Sequence, residues 1–118
     1  MKIAQKNNDE GGGKLPGQIK PSSNQNVVNY PCAFFARICG RVQGVGYRYF
    51  AAREAERLDI NGWVRNTYDG EVEAWAEGDG DKLKLFLDRL REGPHYSHVV
   101  SVIHEERVPE GYREFSIK

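Results

Sequence analysis

The chain has no excess of either charge, since 17 Lys and Arg residues are matched by 17 Asp and Glu over 118 positions. No whole-chain field therefore recruits nucleic acid or an acidic membrane, and any anion site has to be local. No stretch approaches the ~18 continuous apolar residues of a membrane span. The segment 6–13 is polar throughout, where a secretion signal would carry an apolar run. A soluble, cytoplasmic, monomeric protein is expected. Cysteine is scarce: Cys32 and Cys39 fall on one extended segment, about 23 Å apart at ~3.3 Å per residue and on opposite faces, so they cannot bridge each other. No Cys-x-x-Cys is present, which excludes a metal chaperone of the common small type. There are no internal repeats, and the length suits one folded domain.

The first 31 residues differ from the rest. Gly, Pro, Asn, Gln and Ser supply 17 of them, with Tyr30 as the lone aromatic. This composition predicts a flexible tail over 1–31 and a folded domain over 32–118. A native extension and a cloning remnant fit that composition equally well.

From Cys32 the patterning becomes regular. Phe34, Ala36, Ile38 and Val42 alternate with Arg37 and Arg41, as in a half-buried strand. Tyr47, Phe50, Ala51, Ala55 and Leu58 fall at helical spacing, with Arg53, Glu54, Glu56 and Arg57 on the other face. Gly62 to Thr67 and Glu71 to Glu77 read as strands joined through Asp69-Gly70, a hairpin signal. Leu83, Phe86, Leu87 and Leu90 give a second helix, begun at Asp79 and Asp81 and stopped at Gly93-Pro94. Val99 to Arg107 and Arg113 to Lys118 complete the strands. The order is βαββαβ with a short extra C-terminal strand: an α+β, ferredoxin-like split βαβ sandwich, an antiparallel sheet with two helices on one face. Right-handed crossover slots the third strand between the first two. The C-terminal ends of the first two strands then share one edge, roughly 10 Å apart.

That edge carries the chemistry. Gly40-Arg41-Val42-Gln43-Gly44-Val45-Gly46-Tyr47-Arg48 is a glycine-punctuated loop leaving a strand and entering a helix. Gly44 and Gly46 permit close backbone approach, the first N–H groups of the helix point into the bend, and Arg48 supplies a fork suited to two phosphate oxygens. Asn66, at the end of the second strand, shares the parity of Val64 and so faces the helix-covered side, where a buried carboxamide needs a partner. The plainer alternatives are a surface arginine after a turn and an asparagine capping the Asp69-Gly70 hairpin.

The cradle motif, then Gly62-Trp63-Val64-Arg65-Asn66, Asp69-Gly70-Glu71-Val72-Glu73, Ala76-Glu77-Gly78 and Gly93-Pro94, together resemble the acylphosphatase family from about Phe34 to Lys118. The resemblance implies metal-independent hydrolysis of an acyl phosphate to a carboxylate and inorganic phosphate, with no cofactor. It implies that Arg48 binds phosphate, that Asn66 positions water, and that backbone amides of Gln43, Gly44, Val45, Gly46 and Tyr47 form the phosphate-binding loop. Two features depart from the family pattern. Asp59 stands where a helix-ending glycine is usual, and the last strand lacks the aromatic residue that often closes it.

Other constellations are weaker. His95 and His98 are three apart but have no acidic or cysteine neighbour in sequence, so a solvated loop pair outweighs a metal site. The rival to an enzyme is a single-stranded RNA platform built on open-face aromatics. Trp75 would be its stacking residue, but Glu71, Glu73 and Glu77 flank it and repel phosphates.

Overall fold

The computed structural model describes residues 31–118, so the expected tail lies outside the described residues except for Pro31. The elements are β1 (Cys32–Arg41), α1 (Tyr47–Arg57), β2 (Asn61–Asn66), β3 (Val72–Gly78), α2 (Gly80–Glu92), β4 (His98–Arg107) and β5 (Phe115–Ile117). The sheet order is β4-β1-β3-β2-β5, with β3 between β1 and β2 and antiparallel to both. β5 pairs with β2 in parallel, through Gly62 with Phe115 and Val64 with Ile117. That last pairing makes the sheet mixed, a detail that element order leaves open.

Alternation along the strands sorts side chains to two faces. Phe34, Ala36, Ile38, Val64, Val72, Ala74 and Ala76 join Tyr47, Ala51 and Ala55 of α1 and Leu83, Phe86 and Leu90 of α2 in one buried cluster. Both helices therefore cover the same face. On the other face Trp63 and Trp75, cross-strand partners, pack with Ala33, Phe35 and Tyr112. Trp75 is only 8% exposed. Its indole N–H donates to Glu77, whose carboxylate also accepts from the main-chain N–H groups of Glu110, Gly111 and Tyr112. The segment before β5 thus lies over the aromatics, and the face that the rival stacking platform would need open is covered.

The two helices start differently. α2 has Asp79 as N-cap, its carboxylate accepting from the Asp81 N–H at 3.0 Å, with Asp81 itself in the first turn. α1 starts at Gly46 with no side-chain cap and no acidic residue in its first turn. The N–H groups and positive pole of α1 are left for something else.

Candidate active site

The loop between β1 and α1 is shaped by two left-handed glycines. Gly44 has φ 74° and Gly46 φ 81°, and a Cβ at either would meet no atom within 4 Å. Backbone conformation, not space, demands glycine there. Around the loop lies a recess of about 180 Å³ lined by Val42, Gly44, Gly46, Tyr47, Arg48, Tyr49, Asn66 and Ile117. This is small against the ~300 Å³ lower limit of pockets for drug-sized ligands. It suits a tetrahedral anion with a water.

Arg48 and Asn66, from α1 and β2, line that same recess. Arg48 Nη1 donates to the main-chain oxygen of Lys118, the residue after β5, at 2.8 Å. A guanidinium carries five N–H donors, so this bond leaves others for a ligand. Asn66 pairs across the ladder with Val72, a core residue, which confirms its parity with the covered face. Its Oδ1 is the one buried side-chain polar atom among the described residues with no hydrogen-bond partner. Buried acceptors are nearly always paired, and this unpaired one belongs to a residue that lines the recess beside Arg48.

The expected loop residues divide between two tasks. Gly44, Gly46 and Tyr47 line the recess, whereas Val45 packs its side chain against the core. Tyr47 turns its ring inward: the hydroxyl donates to the Leu90 carbonyl at 2.6 Å, tying the start of α1 to the end of α2. Burial pushes its phenol far above the usual tyrosine range. Gln43 reaches across to the β2–β3 turn, where its Nε2 donates to the carbonyls of Thr67 at 2.9 Å and Glu71 at 2.7 Å. That turn is closed by Thr67, whose Oγ1 accepts from the Glu71 N–H at 2.9 Å and whose own N–H donates to the Glu71 carbonyl at 2.8 Å. Asn66 is the residue just before it, so the carboxamide and the cradle are braced together.

Sequence reasoning missed the Gln43 side chain, the main-chain oxygen of Lys118 and the walls supplied by Tyr49 and Ile117. An uncharged glutamine in a loop carries no pattern, and a main-chain acceptor has no residue signature. His95 and His98 are exposed, with the His95 ring 4.9 Å from that of Tyr96, and neither lines the recess. Among the described residues no helix is long and apolar enough to cross a membrane.

The acylphosphatase family model matches residues 34–117. The acylphosphatase of Bacillus velezensis is 51% identical over 79 residues, covering 66% of this chain and 88% of that protein. The acylphosphatase of Thermotoga petrophila is 48% identical over 82 residues, covering 70% and 91%. The crystal structure of acylphosphatase from Bacillus subtilis superposes with a TM-score of 0.72 at 40% identity, covering 74% of this chain and 98% of that one. An uncapped helix entered through left-handed glycines, an arginine at its first turn and an orphaned asparagine oxygen thus coincide with close sequence kinship: the chain belongs to the acylphosphatase family and is a hydrolase.

Proposed function

We propose that this protein hydrolyses acyl phosphates to a carboxylate and inorganic phosphate, with Arg48 and the cradle amides holding the phosphoryl group and Asn66 orienting the attacking water. One observation carries the reading: the buried, unpartnered Oδ1 of Asn66 shares a recess with Arg48. A water donating one O–H to that oxygen is fixed with a lone pair toward phosphorus. Arg48 and the free N–H groups at the start of α1 balance charge on the equatorial oxygens. Water oxygen forms the new bond to phosphorus, the bridging P–O bond breaks, and its electron pair leaves with the carboxylate. Asparagine cannot accept a proton at neutral pH, so the water's proton ends on a phosphoryl oxygen.

A carboxylate is a good leaving group, which makes a covalent nucleophile or strong base unnecessary. The cradle's own positive charge supplies what a metal would otherwise contribute, and the reaction is expected to proceed without one. Positioning then accounts for most of the acceleration.

The test is phosphate release from benzoyl phosphate in excess chelator. Turnover should persist, with kcat flat between about pH 6 and 8 because no enzyme group changes protonation in the step. Arg48→Gln should raise the inhibition constant for inorganic phosphate by at least ~10-fold and lower kcat/KM by ~10³. Asn66→Ala should lower kcat by ~10²–10³ while leaving that inhibition constant within about threefold. Activity lost to chelator, or retained in both variants, overturns the mechanism.

A further inference from the structure

Beside the cradle runs a second, larger depression of about 500 Å³ between α1 and β5. The two share a wall: Tyr49 and Ile117 line both. Both side chains are unusually open for their size, at 61% and 47% exposure. The floor beyond them is apolar, from Ala52, Ala55, Ile60 and Phe115, while the rim carries three carboxylates, of Glu56, Asp59 and Glu114, against the one guanidinium of Arg53. Arg53 Nη1 donates to the Tyr49 hydroxyl at 3.0 Å, and its guanidinium carbon lies 5.6 Å from the ring centroid. The shared wall at the join opens a path out of the cradle.

A phosphoryl group seated on Arg48 must send its acyl portion somewhere, and the small recess has no room for more than the head. Resting on the acyl phosphate reading above, we infer that the α1–β5 groove is the acyl subsite of this cradle, taking an uncharged, extended apolar acyl chain that leaves between Tyr49 and Ile117. The chain's methylenes lie on Ala52, Ile60 and Phe115. The three carboxylates on the rim disfavour a chain that ends in a carboxylate of its own.

The experiment compares KM and kcat for acetyl phosphate, octanoyl phosphate and the acyl phosphate of octanoyl length ending in a carboxylate. Octanoyl phosphate should show a KM at least ~10-fold below that of acetyl phosphate, given the gain per buried methylene, and the terminal carboxylate should cancel most of that advantage. Ala52 is half-buried on the groove floor and lies outside the cradle. Ala52→Trp, which fills the groove, and Ala52→Asp, which makes its floor charged, should each abolish the preference. Both should leave acetyl phosphate kcat/KM within about threefold. Equal KM values for acetyl and octanoyl phosphate in the native protein, or a preference that survives both variants, overturn the proposal. Calorimetric binding of the phosphonates in which a methylene replaces each bridging oxygen separates this question from turnover. If no acyl phosphate is hydrolysed, the hydrolase reading fails, and the groove still stands or falls on whether the octanoyl phosphonate binds at least ~10-fold tighter than the acetyl one.

Discussion

Gln43 and Glu71 are joined by a hydrogen bond of 2.7 Å, from the Gln43 side-chain Nε2 to the Glu71 main-chain carbonyl, across 28 positions of sequence. With its second bond to the Thr67 carbonyl, the side chain uses both amide protons to fix the cradle loop against the turn that follows Asn66. Gln43→Ala removes both bonds and frees the loop to shift relative to the water site. A misplacement of about 1 Å at a reacting centre costs on the order of 10²-fold. The expected result is a kcat/KM for benzoyl phosphate lowered ~10–100-fold. Gln43→Glu should be worse, because a carboxylate then faces two carbonyl oxygens beside an anion site. Steady-state kinetics of the two variants check this, and the brace is refuted if Gln43→Glu matches the native enzyme.

Asn66 sets function against stability. An unpaired buried acceptor costs ~1–3 kcal/mol, and replacing it with an apolar group of similar shape relieves that cost. Asn66→Leu should therefore leave the protein as stable or raise its Tm by a few degrees in phosphate-free buffer, while abolishing turnover. Thermal unfolding followed by circular dichroism decides it. A fall in Tm of more than about 5 °C would mean that the oxygen has a partner within the protein.

How much of this was legible in the sequence depended on whether the signal was local. Phe34, Ala36 and Ile38 at period two, and Leu83, Phe86, Leu87 and Leu90 at helical period, define their elements without outside help. That Arg48 and Asn66 would lie in one recess was legible because crossover handedness brings two strand ends to one edge, and topology follows from element order. The rest depended on long-range main-chain partners. Glu77 reads as one more solvated carboxylate on a charged strand, yet it is 5% exposed, because the chain beyond β4 returns to place three N–H groups on it. Nothing near Glu77 in sequence announces that return. The parallel docking of β5, and with it the Lys118 main-chain oxygen on Arg48, escaped for the same reason.

Glu77 gives the fold an acid-sensitive clasp. Burial alone would raise its pKa, but hydrogen bonds from the Glu110 N–H at 2.5 Å, the Trp75 indole at 2.8 Å and the Tyr112 and Gly111 N–H groups at 3.1 Å outweigh it and hold the carboxyl below the usual glutamate range. A group whose folded pKa is depressed stabilises the protein above its unfolded value, about 4.3, and that contribution is lost as pH falls through the folded value. Glu77→Gln should cost about 3 kcal/mol at pH 7, because hydrogen bonds to the charged group are replaced by an amide that cannot accept all four donors. Urea unfolding from pH 7 to pH 3 should show the gap between native protein and variant shrinking below about pH 4.5. Parallel curves across that range would show that the clasp is not the acid-labile element.

Asp59 ends α1 in the left-handed region, with φ 58°, the one non-glycine residue with positive φ among those described. The Asp59 N–H donates to the Glu56 carbonyl at 3.2 Å and the Ile60 N–H to the Ala55 carbonyl at 2.8 Å, the bond pair of a Schellman ending, with Ile60 and Ala55 both buried in the core. The geometry is the one glycine adopts freely, and a Cβ there costs ~1 kcal/mol. Asp59→Gly removes that strain, partly offset by the greater freedom glycine has when unfolded. The net expectation is a gain of ~0.5 kcal/mol and a Tm higher by a few degrees. Asp59 does not line the cradle, so kcat for acetyl phosphate should be unchanged. Asp59→Ala retains the Cβ and should show no gain, which separates relief of backbone strain from loss of the carboxylate. If alanine stabilises as much as glycine, charge repulsion among Glu56, Asp59 and Glu114 is the cause instead.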